Sequence, residues 1–337
     1  MAEITIEEVR NFLEPMQGQK ITLDELRDEF NILKGTKSYP AMRVIASRLC
    51  EQKVLKRLSS RKEFRVLQKI EPVNWWDDEI DTEPINFLWP QSHEDHSEFG
   101  FEEILEVFPG DMVLIAGASN YGKTTLALNL LGENLGLMPS VLMGSEYTAA
   151  DGKISPKFKR RMGRMSWVNW VEDGKPRFQL YPIGADYEDY VQSGFLNYID
   201  WISLPGEYYM IDAVMKAIKD RVGEGMGIAV IQKNPGSEYG EGGPRTERYA
   251  DVYLTVDPYG VSESMVTIGK VKAPKGKATG RTWAFEIVDY GANLLNIREI
   301  VKCNVCYGKK WKGPSNNKTP CDACNRTGYV DKKDCGG

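Results

Sequence analysis

The chain has 337 residues, of which 42% are hydrophobic and 27% charged, and its 43 basic and 48 acidic side chains leave a net charge of −5. These proportions describe a folded protein of about two or three domains. They exclude wholesale disorder, collagen-like repeats, continuous coiled coil and a small disulfide-stapled scaffold. No uncharged apolar run approaches the ~18 residues that span a bilayer, and the opening MAEITIEEVRNF lacks the basic-then-apolar order of a signal peptide, so a cytoplasmic protein is expected.

Residues 4–30 carry two short amphipathic helical patterns, the first with Ile6, Val9, Phe12 and Leu13 and the second with Leu23, Leu26 and Phe30. A third helix is predicted over residues 39–52, followed by two strand-like runs in VLKRLSSRKEFRVL around a polar turn at 59–62. Three helices and a β-wing predict a small α+β winged-helix domain over residues 1–70. Residues 1–36 hold four basic and eight acidic side chains, whereas residues 37–69 hold ten and two. The net +8 falls on the third helix and wing, the elements that such a domain sets against DNA. The candidate contacts are Arg43, Arg48, Lys56, Arg57, Arg61 and Lys62. A protein-interaction module with a basic surface is the alternative.

Residues 71–98 read as an acidic, aromatic linker. The segment 71–100 has nine acidic side chains and no Lys or Arg, yet it contains Trp75, Trp76, Phe87, Leu88 and Trp89. A solvated spacer needs no tryptophans, so part of it is expected to pack on the next domain or on a neighbouring subunit. His93 and His96 are read as polar surface and assigned no metal.

From Asp111 the sequence DMVLIAGASNYGKTTLALNLL reads as a buried strand, a glycine-bearing loop and a helix with Leu126, Leu130 and Leu131 inward. The loop matches G-x-x-x-x-G-K-[ST] at Gly117, Gly122, Lys123 and Thr124, with Ala118, Ser119, Asn120, Tyr121 and Thr125 completing the phosphate cradle. Backbone amides and the helix N-terminus suit phosphate oxygens, Lys123 reaches the β- and γ-phosphates, and Thr124 ligates Mg²⁺. ATP with Mg²⁺ is the expected ligand.

Downstream, SVLMGSE is a second apolar strand ending at Glu146, and GFLNYIDWISL a third that delivers Asp200, a Walker B candidate to hold Mg²⁺. Asn197 and Tyr198 interrupt the usual aliphatic run there. A further strand, MGIAVIQKNPG, ends at Gln232. Strands alternating with helices predict an α/β domain over residues 99–298, a mostly parallel sheet with helices on both faces. The basic stretch 153–164 is expected to face solvent.

With these motifs, residues 99–287 resemble the RecA-like ATPase core, nearer to the DnaB-type helicase and KaiC/RadA-like branches than to AAA+ proteins. The resemblance implies that Glu146, closing the strand after the P-loop, activates the attacking water. It implies that Gln232 is the γ-phosphate sensor, and that KNPGSEYGEGGPRTER is a DNA-binding loop in which Lys233, Arg245 and Arg248 contact phosphates. It implies also that Lys270 and Lys272, in IGKVKAPKG, reach a neighbour's ATP, although the family commonly has Arg at the second position. That role requires a homo-oligomer, for which a hexamer is the expected form.

Cys303, Cys306, Cys321 and Cys324 form C-x2-C-x14-C-x2-C, which suits tetrahedral Zn²⁺ and predicts a zinc-knuckle tail over residues 299–337. CNVCYG and CNRTGYV also resemble the zinc repeats of DnaJ-type proteins, with only two knuckles present. Eight basic side chains against three acidic ones in 301–337, with Tyr307, Trp311 and Tyr329, suit nucleic acid. The combined expectation is an ATP-driven DNA motor with helicase-like translocation in replication or recombination. A non-translocating ATP switch and a KaiC-like signalling ATPase are the alternatives.

Overall fold

A computed structural model describes residues 4–58, 62–68, 83–149, 152–234, 236–314 and 318–335. The chain divides into two compact units, Met1–Asp81 and Thr82–Gly337. Among the described residues no helix is long and apolar enough to cross a membrane.

The first unit contains helices α1 (Ile6–Leu13), α2 (Leu23–Glu29) and α3 (Ser38–Glu51) and strands β1 (Lys20–Thr22), β2 (Leu55–Arg57) and β3 (Glu63–Val66). T-x-x-E sequences start the first two helices. The Thr5 hydroxyl accepts from the Glu8 amide while the Glu8 carboxylate accepts from the Thr5 amide, and Thr22 and Glu25 repeat the arrangement. The three strands form an antiparallel sheet in the order β1-β3-β2. Val9, Leu13, Leu26, Met42, Leu49 and Phe64 fill the core. Sequence periodicity anticipates the three helices and the two later strands but not β1, whose three residues are too few to show alternation. Part of the expected turn, 59–61, lies outside the described residues.

In the second unit the strands are β4 (Met112–Gly117), β5 (Ser140–Met143), β6 (Val171–Glu172), β7 (Lys175–Pro176), β8 (Gln179–Tyr181), β9 (Leu196–Ile202), β10 (Met226–Gln232), β11 (Val252–Tyr259), β12 (Glu263–Val271), β13 (Thr282–Val288), β14 (Asn293–Lys302), β15 (Trp311–Lys312), β16 (Thr319–Pro320) and β17 (Tyr329–Asp331). Helices α4 (Lys123–Glu133), α5 (Pro156–Arg164) and α6 (Ile211–Arg221) complete it. Ten strands form one sheet in the order β17-β14-β13-β12-β11-β4-β10-β9-β5-β8. From β11 to β8 all neighbours are parallel, and from β11 to β17 all are antiparallel. The sheet is thus mostly parallel, and the fold is α/β as expected.

Every residue of β4 is buried. Its alternate side chains feed opposite cores: Val113 and Ile115 pack with Leu126, Leu130 and Leu131 of α4, whereas Met112, Leu114 and Ala116 pack with Ile211, Met215 and Ile218 of α6. Helices on both faces explain why β4 reads as an unbroken apolar run.

The second half of the expected linker belongs to this unit. Phe87, Trp89, Phe99 and Phe101 enter the α4-side core, with Trp89 edge-on to Phe101 at 5.1 Å. Trp75 and Trp76 lie outside the described residues. Asn134, buried beyond the end of α4, clamps the segment: its Oδ1 accepts from the Leu88 amide at 2.9 Å and its Nδ2 donates to the Leu88 carbonyl at 2.8 Å. His93 bonds the Glu133 carboxylate at 2.8 Å and stacks on Trp167 at 3.9 Å. The boundary expected at 298/299 falls within β14, and β17 pairs back onto β14, so the cysteine-bearing segment extends the sheet. Asn134→Ala removes both clamp bonds and is expected to lower the unfolding free energy of this unit by about 2 kcal/mol, read by tryptophan fluorescence in denaturant titrations.

Candidate active site and metal centre

The carboxyl ends of β4, β5, β9 and β10 converge, and each delivers one expected residue or motif. This is where an open α/β sheet leaves a crevice. The 117–125 loop follows β4. Gly122 has φ +98°, and a Cβ there would come within 2.4 Å of Ile287, so the turn into α4 requires glycine. The first helical bond runs from the Leu126 amide to the Gly122 carbonyl, which leaves the amides of the preceding turn free to meet an anion. Residues 120–125 of the loop line a cavity of about 480 Å³ together with Glu146, Arg161, Val261, Ser262, Ser264, Ile287, Tyr290 and Gly291.

The Lys123 ammonium donates to the Ala118 carbonyl at 2.8 Å and to Gln232 Oε1 at 3.1 Å, while Gln232 Nε2 donates to Ser119 Oγ at 2.9 Å. Gln232 therefore bridges the two sides of the loop, and an anion that draws Lys123 away breaks half of that bridge. Burial lowers the Lys123 pKa, opposed by the negative charges of Asp200, Glu146 and Glu241.

Asp200 lies near the end of β9 and is buried. Its Oδ2 accepts from the Tyr147 hydroxyl at 2.5 Å, whereas its Oδ1 is buried with no hydrogen-bond partner among the described residues. Burial raises its pKa, against the Tyr147 and Thr124 hydroxyls, which favour the charged form. A buried carboxylate oxygen with no donor, beside a threonine of the loop, fits a hard cation such as Mg²⁺. Glu146 is exposed in the turn Ser145–Tyr147 and lines the cavity from the end of β5.

Other expected residues fall elsewhere. Lys233 is drawn inside, its ammonium 2.8 Å from the Ser237 carbonyl and 2.5 Å from Asp257, so it anchors the base of the 233–248 loop instead of presenting a charge. Arg245 donates to the Tyr209 carbonyl and Arg248 to Asp212, at 3.1 and 3.0 Å, both from exposed positions. Lys270 donates to the Glu247 carbonyl at 2.6 Å, and Lys272 to Asp251 at 2.7 Å. Asp251 also takes the Met112 amide, so this pair belongs to the amino end of β4, opposite the glycine loop. β12, which carries Lys270 and ends one residue before Lys272, is an internal strand.

The expectation that 153–164 faces solvent fails at Arg161, which lines the cavity. α5 is amphipathic, with Phe158 and Met162 buried, and an apolar signal of two residues in a basic run is too sparse to tell which arginine turns inward.

In the first unit Arg43, Arg48, Lys56, Arg57 and Lys62 are exposed, and Arg61 lies outside the described residues. Lys56 stands opposite Arg65, which stands opposite Lys20, across the three strands. Like charges directly opposite disfavour a sheet, and an anion bound across them relieves the repulsion. Arg65 and Lys20 went unnamed because only the pairing register brings them into line with Lys56.

Cys303, Cys306, Cys321 and Cys324 are buried, with all four sulfurs within 4.8 Å of one another. The Sγ distances are 3.9 Å for 303–321 and 3.7 Å for 306–324. A tetrahedron with Zn–S bonds of ~2.3 Å has edges of ~3.8 Å. The amides of Cys306 and Val305 lower the Cys303 pKa against burial, favouring the thiolate that binds metal. The donor set fits zinc.

No protein-family model matches the chain, and no curated protein matches it. Similar solved structures include the ATPase domain of G40P, with 13% identity and a TM-score of 0.42 over 56% of this chain and 86% of that one. They also include the RadB recombinase, with 18% identity and a TM-score of 0.41 over 56% and 92%. A KaiC-like protein from Pyrococcus horikoshii OT3 has 16% identity and a TM-score of 0.44 over 63% and 99%.

Two outcomes are expected. Because the folded Asp200 pKa is raised, its charge costs stability increasingly as pH rises from the ordinary carboxylate range through the folded value. Asp200→Asn is therefore expected to raise the thermal midpoint of the magnesium-free protein by a few degrees near neutral pH, with the gain shrinking on acidification. Elemental analysis is expected to find about one zinc per chain, falling to about a tenth in Cys321→Ser, with a lower thermal midpoint.

Proposed function

We propose that the protein is an ATP-hydrolysing, DNA-binding motor of the RecA/DnaB-like class, with a winged-helix domain at its amino end and a structural zinc knuckle at its carboxyl end. The observation that carries this reading is the convergence of the 117–125 loop, Glu146, Asp200 and Gln232 at one end of four parallel strands. In this reading the loop amides and Lys123 take the triphosphate, and Thr124 and Asp200 hold Mg²⁺, which when bound offsets charge on the β- and γ-phosphates. Glu146, exposed and free of hydrogen bonds among the described residues, accepts a proton from the attacking water.

Gln232 is the coupling element. Its side chain spans Ser119 and Lys123, and its backbone carbonyl accepts from the Glu241 amide at 2.8 Å, so a change at the loop reaches the 233–248 segment through one residue. Arg245 and Arg248 are the exposed cations of that segment proposed to meet DNA, while Lys233 is its anchor. Lys20, Lys56 and Arg65, with Arg43, Arg48 and Arg57, form the basic surface proposed to meet duplex phosphates. Helicase-like translocation by a cytoplasmic oligomer in replication or recombination is the function proposed for this assembly. The engagement of Lys270 and Lys272 within their own chain favours a second reading, an ATP switch that loads or regulates without translocating.

Steady-state ATP hydrolysis with and without single-stranded DNA tests the proposal. The expected result is hydrolysis stimulated about tenfold or more by DNA, reduced at least about 100-fold in Glu146→Gln with ATP binding kept, and lost with binding in Lys123→Ala. Hydrolysis indifferent to DNA overturns the motor and leaves the switch.

A further inference from the structure

We propose that Arg161 is a phosphate-binding residue of the nucleotide site, supplied by the chain itself, which distinguishes a nucleoside triphosphate from the diphosphate. The inference rests on the nucleotide reading above and adds a residue that neither the loop motif nor the family resemblance names.

Arg161 and Lys123 are the two cations among the residues that line the cavity, which Glu146 also lines, and buried Asp200 lies near Lys123. Arg161 is half-buried, yet its guanidinium makes no hydrogen bond or ion pair with any described residue. Two other half-buried guanidinium groups of this unit have carboxylate partners, Arg281 with Glu299 and Arg298 with Glu263 and Asp331, and Arg164 lies over the Tyr290 ring. Its N–H donors face the cavity and are left to solvent there, and phosphate oxygens bound at the 120–125 loop on the same cavity wall supply acceptors in the geometry that a planar fork prefers.

The surroundings hold the side chain in place. Gly291, with φ +88°, lies beneath it, and a Cβ there would stand 3.1 Å from Arg161 Nη2. The Gly291 carbonyl accepts from Thr125 Oγ1 at 3.0 Å, and the Ala292 carbonyl from Asn129 Nδ2 at 2.9 Å, so the hairpin tip under Arg161 is fastened to α4. One turn further along α5, Arg164 stacks on Tyr290 at 3.9 Å, which ties the helix to the same tip. A cation held so close to the loop helix is an addition to Lys123 on the phosphate side. It is more valuable to a triphosphate than to a diphosphate because the extra phosphate adds negative charge toward Glu146 and Asp200.

Isothermal titration of the full-length protein with magnesium and either ATPγS or ADP tests this, using Arg161→Ala, Arg161→Lys, Lys123→Ala and, as a control for helix charge, Arg160→Ala. Arg161→Ala is expected to weaken ATPγS about tenfold or more and ADP less than about threefold, with Arg161→Lys intermediate and Arg160→Ala unchanged. Equal weakening of the two nucleotides by Arg161→Ala, or no change in either, overturns the inference. If Arg161→Ala fails to fold, the Arg161→Lys ratio decides in the same way. Loss of binding in Lys123→Ala with none in the Arg161 variants leaves the nucleotide reading standing without Arg161. Failure of the unsubstituted chain to bind ATPγS removes both.

Discussion

A carboxylate buried with one oxygen lacking a donor among the described residues is an expensive feature, and the architecture of the larger unit is arranged around tolerating it at Asp200. The apolar strands that flank β9 seal the site from below. Tyr147, reached by the turn after β5, gives Asp200 its one strong hydrogen bond from a fully buried hydroxyl. Lys123 approaches from the loop after β4, close enough that each charge shifts the other's protonation. Three consecutive crossovers of the sheet are needed to bring these groups within reach, and their common location at the carboxyl ends of parallel strands follows from the topology.

Some of this was legible in sequence because the signals are local. The glycine loop carries its constraint within eight residues, the cysteine pairs within four residues each, and the buried strands as unbroken apolar runs. The T-x-x-E boxes likewise mark helix starts without reference to the rest of the chain. The fates of the basic residues were not legible. Lys233 sits in a polar loop sequence, yet its partner Asp257 is 24 residues away on β11, and Lys272 meets Asp251 only because β12 folds back beside β11. A lysine's role depends on which carboxylate the tertiary fold places opposite it, and composition along the chain is silent on that.

The antiparallel half of the sheet shows a related limit. Motifs with chemical content mark the parallel half, whereas β12, β13 and β14 carry ordinary strand alternation. They line the site with Ser264 of β12 and Ile287 of β13, and the turn between β13 and β14 adds backbone: the Gly291 and Ala292 carbonyls that receive Thr125 and Asn129. Such contacts depend on register and hairpin length, so the wall of the cavity that they form emerges only in three dimensions. The same holds for the tail, which an independent knuckle would leave separate but which here returns through β17 to pair with β14.

β14 begins two residues after Gly291 at the cavity and ends one residue before Cys303. Ten residues of extended chain span roughly 30 Å, about three Debye lengths at ordinary salt. A divalent ion among the cysteines is therefore electrostatically invisible to phosphate at the glycine loop. Its contribution to anything that happens there is purely mechanical, made by fixing the far end of a strand whose near end forms part of the cavity wall.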